Sequence, residues 1–149
     1  MGEYEINEAT NAIIPISETE TKVIEDENIY QVNKKAIKII DDSCKYFGSS
    51  YSGRFEGAKK LLGPKIYKAP IIVEETRELI YFPTGSSRAS DCIWISLKKV
   101  KEIKKSNYNS VVIFKNNQEI ELDISIESLN NQLLRASRLE SILRQRKIS

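Results

Sequence analysis

Apolar residues fall in short clusters between polar turns over most of the chain, then recur at helical spacing near the end. Short clusters bounded by Gly, Asn, Asp and Ser read as strands joined by hairpins. Residues 3–7 (EYEIN) and 12–16 (AIIPI) predict one pair around a polar turn at 8–11. Residues 21–25 (TKVIE) and 29–33 (IYQVN) predict a second, turning through Asp26, Glu27 and Asn28. Residues 36–40 (AIKII) and 45–47 (KYF) are too short for periodicity to decide strand against helix. Residues 71–73 and 79–82 predict another hairpin, followed by a Ser- and Gly-containing loop over 83–91. The alternation in 92–97 (CIWISL) predicts a half-buried strand holding the chain's one tryptophan, Trp94. Residues 111–115 and 119–124 flank Asn116, Asn117 and Gln118, a hairpin signal.

Two stretches predict helix. In 48–63, which holds four of the six glycines, the second half from about 54 to 62 reads as a helix stopped by Gly63 and Pro64. From Ser125, a good N-cap, Ile126, Leu129, Leu133, Ala136, Leu139 and Leu143 recur at three- and four-residue steps. Neither Gly nor Pro interrupts 126–147. Glu127 begins this helix and Arg144, Arg146 and Lys147 end it, with the charge signs the helix dipole favours. The expected fold class is α+β: a single domain of mostly antiparallel sheet built from hairpins, with a short helix near 54–62 and a long C-terminal helix near 126–147.

Composition narrows the chemistry. The 149 residues are 40% hydrophobic and 30% charged, a globular balance. There is no histidine, which removes His-based nucleophile systems and His-ligated metals. Cys44 and Cys92 form no CxxC and read as small buried hydrophobes. The carboxylates form no acid/base pair in an apolar setting. No catalytic residue, metal or cofactor is expected. No apolar run approaches the ~20 residues that span a bilayer, and the acidic N-terminus is unlike a signal peptide. A cytoplasmic protein is therefore expected.

The net charge of +2 conceals an asymmetry: residues 1–30 sum to −7 and residues 31–149 to +9. A basic body with an acidic edge suits an anion-binding surface, and also an ordinary solvated one. Gly48 to Arg54 has the G-x4-G of a phosphate loop, but Arg54 and Phe55 stand where the Lys and the metal-binding hydroxyl belong, so nucleotide hydrolysis is not read here. Ser49, Ser50, Tyr51 and Ser52 can still donate to phosphates, with Arg54, Lys59 and Lys60 following. The same segment also reads as a plain turn into a helix. Lys98, Lys99, Lys101, Lys104 and Lys105 form the densest basic run, either an edge strand protected by lysines or a stripe that follows phosphates. Val100 and Ile103 within it suggest a bulge. Arg135 and Arg138 share a helix face opposite the leucine stripe. Leu134 and Ile142 widen that stripe enough to meet a partner helix.

Residues 42–54 (DSCKYFGSSYSGR), 70–73 (PIIV), 81–87 (YFPTGSS), 91–96 (DCIWIS) and 130–136 (NNQLLRA), in this order, resemble the competence transcription factor family, ComK, of Gram-positive bacteria. The resemblance runs from about Tyr4 to about Arg144. It implies a DNA-binding transcriptional activator of DNA-uptake genes, one that reads paired A/T-rich boxes through the minor groove as a homodimer or higher oligomer. Such a protein would be associated with the nucleoid. A narrow A·T minor groove attracts inserted Arg and Lys, and reading it requires no recognition helix. Resemblance and charge placement together nominate Arg54, Lys59, Lys60, Ser49, Ser50, Tyr51, Lys98, Lys99 and Lys101 for double-stranded A/T-rich DNA, and Leu134 and Ile142 for an oligomer interface. Two departures alter the expectation. The sequence stops at Ser149, short of the C-terminal tail through which the family meets a MecA-type adaptor, so that partner is not carried over. Phe55 and Glu56 also follow Arg54 where the family is often basic, which predicts weaker phosphate contacts. The alternative is a weakly binding or non-binding paralogue that modulates a full-length family member through its C-terminal helix.

Overall fold

The structure, a computed structural model, describes residues 1–86 and 89–148. The elements run β1 (Thr10–Pro15), β2 (Thr21–Glu25), β3 (Ile29–Val32), α1 (Ala36–Tyr46), α2 (Tyr51–Leu62), β4 (Ile71–Glu74), β5 (Leu79–Pro83), β6 (Trp94–Ser96), a 3-10 turn (Leu97–Lys99), β7 (Val100–Ser106), β8 (Asn109–Phe114), β9 (Glu119–Leu122) and α3 (Ile126–Ile148). The fold is α+β. One antiparallel sheet has six strands in the order β3-β2-β1-β6-β5-β4, and a second has three in the order β7-β8-β9.

The larger sheet is buried on both faces, and the period-2 alternation of its strands distributes the core accordingly. Ile13, Ile71, Val73, Leu79, Tyr81 and Trp94 pack on one side with Ile39, Ile40 and Cys44 of α1 and with Tyr4 and Ile6. Ala12, Ile72, Ile80, Phe82 and Ile95 pack on the other with Leu129, Ala136, Leu139 and Leu143 of α3 and with Val112, Phe114 and Leu122 of the smaller sheet. Helix α2 lies along edge strand β4 and touches both α1 and α3. Its Ala58 and Leu62 join the α3 side of the core.

Several expectations change. The pair predicted at 3–7 and 12–16 is absent. Tyr4 and Ile6 are buried, yet the Ile6 N–H is taken by Ser43 Oγ at 3.0 Å, and β1 pairs with β2 and β6. The alternation in 3–7 therefore marks an extended segment lying on α1, with no strand partner. The undecided stretch 36–47 is helix, because a Schellman motif closes it. Gly48 sits at φ +88° with its N–H on the Lys45 carbonyl, and the Ser49 N–H bonds the Cys44 carbonyl. Helix α2 begins at Tyr51, three residues ahead of expectation, capped by Ser50 Oγ on the Gly53 N–H at 3.0 Å. The hairpin at Asn107-Tyr108 was not foreseen; Asn107 supplies its positive φ of 56°. Of the lysine run, Lys101, Lys104 and Lys105 lie on an edge strand, β7, whose register shifts between Val100 and Glu102 as a bulge would shift it, whereas Lys98 and Lys99 lie in the 3-10 turn before it. Of the expected loop 83–91, residues 87 and 88 lie outside the described residues.

Candidate nucleic-acid interface

The segment 48–63 is half turn and half helix, so its glycines serve two purposes. Gly48 and Gly63 take positive φ at the ends of α1 and α2. Gly53 and Gly57 sit inside α2, four residues apart and exposed. A Cβ on Gly57 would meet nothing within 4 Å, and one on Gly53 would meet Ser50 Oγ at 3.2 Å. Packing therefore does not require glycine at 57, although glycine in a helix costs about 0.5–1 kcal/mol relative to alanine. Together with Ser49, these positions leave a bare strip of backbone on the outside of α2.

The strip forms one wall of a groove of about 380 Å³, whose other lining includes Arg54, Lys60, Glu75 and Arg146. Arg54 is half-buried; its Nη1 pairs with Glu75 at 3.1 Å and its Nε is buried with no partner. Lys60 is exposed and Arg146 projects from the end of α3. Asp41 of α1 holds the start of α2 in place: its carboxylate accepts the Tyr51 N–H at 2.9 Å, and that bond keeps its pKa below the ordinary value.

The nominated residues separate into groups. Ser49, Arg54 and Lys60 meet in this groove. Ser50 is the cap of α2, and the Tyr51 ring packs between Phe55 (5.7 Å, stacked) and Trp94 (6.1 Å, edge-on). Lys59 lies over the Phe55 ring at 5.3 Å. Phe55 packs against both core clusters, which explains an apolar residue after Arg54. The lysines of 98–101 diverge. Lys98 donates to the Arg77 carbonyl at 2.6 Å, Lys99 pairs with Asp26 at 2.6 Å across to the β2–β3 turn, and Lys101 donates to Asn117 at 3.2 Å. Lys99 is thus a tether between the two sheets, its charge met by a carboxylate. Leu134 is 58% exposed, whereas Ile142 is half-buried against the α3 side of the core.

The sequence reading did not single out Arg146 or Glu75 for this groove. Arg146 was legible only as a helix-closing charge, and Glu75 only as a turn residue. Arg144 and Lys147, beside Arg146, clamp the β4–β5 turn through Glu78, with Arg144 Nε at 2.9 Å from its carboxylate. The Arg144 hydrogen bond holds the Glu78 pKa below its ordinary value. Both cysteines are buried and unpaired. Burial pushes the Cys44 thiol up to about 12 and the Cys92 thiol up to about 11. Among the described residues no group of three His, Cys, Asp or Glu could hold a metal ion, and no helix is long and apolar enough to cross a membrane.

The family model described as ComK protein matches residues 1–148. A protein named "Competence transcription factor" from Bacillus subtilis (strain 168) is 39% identical, over 96% of this chain and 76% of its own length. No solved structure matches the chain.

Proposed function

The chain belongs to the ComK family, and from that premise we propose that it is a transcription regulator of competence genes that binds duplex DNA through the α2 groove. A transcription factor is not an enzyme class, and the proposed activity calls on no catalytic group and no cofactor. The observation that carries the reading is the bare strip at Ser49, Gly53 and Gly57 beside Arg54, Lys60 and Arg146. Gly57, an exposed helix glycine that no neighbour requires, costs stability, and with Gly53 it allows a sugar–phosphate edge to approach the backbone closely. Arginine and lysine beside such an edge suit the narrow, electronegative minor groove of A·T tracts.

In this reading residues 1–149 act as one DNA-binding domain, an activator in the cytoplasm at the nucleoid. Arg54 exchanges Glu75 for DNA, Lys60 and Ser49 contact phosphate, and Ser50 and Tyr51 hold the helix start in place. Lys59, Lys98 and Lys101 add long-range attraction. Paired A/T-rich boxes match a symmetric oligomer, with Leu134, and the half-exposed edge of Ile142, facing a second copy.

The test is a fluorescence-anisotropy titration of a duplex with two A/T-rich boxes against a G·C-rich control, at several salt concentrations. We expect preference for the A/T duplex, loss of affinity with salt, and competition by a minor-groove drug. Arg54→Ala should cost about 1–3 kcal/mol of binding, with Arg54→Lys retaining part of it. Equal, weak binding to both duplexes overturns the proposal.

A further inference from the structure

A second cationic pocket, of about 230 Å³, lies between the segment leaving α2 and the first half of α3. Lys65, Tyr67, Lys68 and Arg135 line it together with Ser128 and Asn131, and no carboxylate does so among the described residues. The contrast is with the basic positions held in ion pairs. Lys34, Lys38, Lys45, Lys99, Arg77 and Arg144 each meet a carboxylate. The side chains of Lys65, Tyr67 and Lys68 meet neither a hydrogen-bond partner nor an ion-pair partner, and Tyr67 is 87% exposed.

The pocket is also held in shape. Gln132, itself buried, donates through Nε2 to the carbonyls of Lys68 at 3.0 Å and Pro83 at 2.7 Å. Its Oε1 accepts from Arg135 Nη1 at 2.8 Å. One buried amide therefore pins the 65–68 segment to α3 and orients a guanidinium, leaving the remaining Arg135 donors for a ligand. Three cations without an acid, an exposed phenol and neutral amides suit a phosphate oxyanion, whose several oxygens can accept from all of them. Arg135 and Arg146 stand eleven residues apart, three turns of α3, so they share a face about 16 Å apart. That span is about half a helical turn of duplex DNA.

We propose that this pocket seats a backbone phosphate of the same duplex that lies in the α2 groove, with Lys65, Lys68 and Arg135 as its cations and the Tyr67 hydroxyl as a donor. The inference rests on the DNA-binding reading and adds to it a sequence-independent contact that fixes the register of the protein on the duplex.

The experiment compares the full chain with Lys65→Gln/Lys68→Gln, on the A/T-box duplex and on the G·C-rich duplex, across a salt series. Lys105→Gln/Lys115→Gln, which removes the same charge from the smaller sheet, is the control. Neither pair removes a side chain from the Gln132 tether, which holds Lys68 by its backbone carbonyl, and thermal melting checks that both variants fold. At 0.15 M salt, binding by the 65/68 variant should weaken roughly five-fold, by the same factor on both duplexes, with the log–log salt slope shallower by about 1, as loss of one phosphate contact requires. Unchanged affinity and slope, with the wild type still binding, overturns this inference and leaves the DNA-binding reading standing. An equal loss in the 105/115 control overturns it as a mere effect of net charge. A loss confined to the A/T duplex overturns the phosphate assignment in favour of base reading. Failure of the wild type on both duplexes overturns the DNA-binding reading and this inference with it.

Discussion

Gly57 separates stability from function at a single residue. A methyl group there enters open space, so Gly57→Ala should raise helix stability by about 0.5–1 kcal/mol. On the proposed interface the same methyl stands between α2 and the DNA edge, so affinity should fall several-fold. A rise in the melting midpoint with unchanged anisotropy would show that no ligand approaches that strip. The thiols give a second residue-level test. With Cys44 at about 12 and Cys92 at about 11, neither is thiolate at neutral pH, and both are buried. An aromatic disulfide reagent at pH 8 should leave the native protein unlabelled and modify both cysteines in denaturant. At this scale sequence showed residue types and missed their engagements. Lys99 and Lys60 look alike in the chain, but Lys99 is taken by Asp26, 73 positions away, and Lys60 meets no carboxylate. Such pairings arise only when distant strands come together.

Elements were legible where local chemistry ends them. Asn116-Asn117-Gln118, the Ser125 cap and the Gly63-Pro64 stop each carry their own backbone geometry, and β8, β9, α3 and α2 terminate beside them. The stretch 36–47 was ambiguous because a two-sided sheet strand and a short buried helix show similar apolar runs. The segment 3–7 misled because alternating burial does not require a strand partner; Ser43 met its backbone donor instead. The α1–α2 junction joins the two helices through one carboxylate. Asp41 is held below its ordinary pKa first by the Tyr51 N–H and then, against the opposing cost of burial, by Lys45. A depressed folded pKa means the contribution is present above about pH 4 and is lost as pH falls through the folded value. Asp41→Ala should therefore destabilise by about 1–2 kcal/mol at pH 7, and the gap from wild type should narrow progressively as pH falls below about 4. Urea titrations over a series of pH values measure it, and a gap that does not change with pH would assign the effect to packing instead.

Over the whole molecule, strand order turns a charge asymmetry along the sequence into one across space. The acidic first thirty residues supply β1 and β2, while α2, with Arg54 and Lys60, lies along β4 at the far edge. Strands β2 and β4 stand four spacings apart in the order β2-β1-β6-β5-β4, roughly 19 Å at ~4.8 Å each. That exceeds the Debye length of about 8 Å at physiological salt. The acids thus do not cancel the basic face for a ligand seated on α2, and a net charge of +2 understates the attraction there. Sequence alone showed the imbalance and not its axis, because the axis depends on β6 inserting between β1 and β5. Exposed Glu18 and Glu27, in the turns on either side of β2, make the argument measurable. Glu18→Gln/Glu27→Gln should leave DNA affinity unchanged at 0.15 M salt. At 0.01 M, where the Debye length reaches about 30 Å, the same variant should bind more tightly and associate faster. A gain of equal size at both salts would place these carboxylates at the DNA itself, and the bound face would then be the β2 side of the sheet, away from α2.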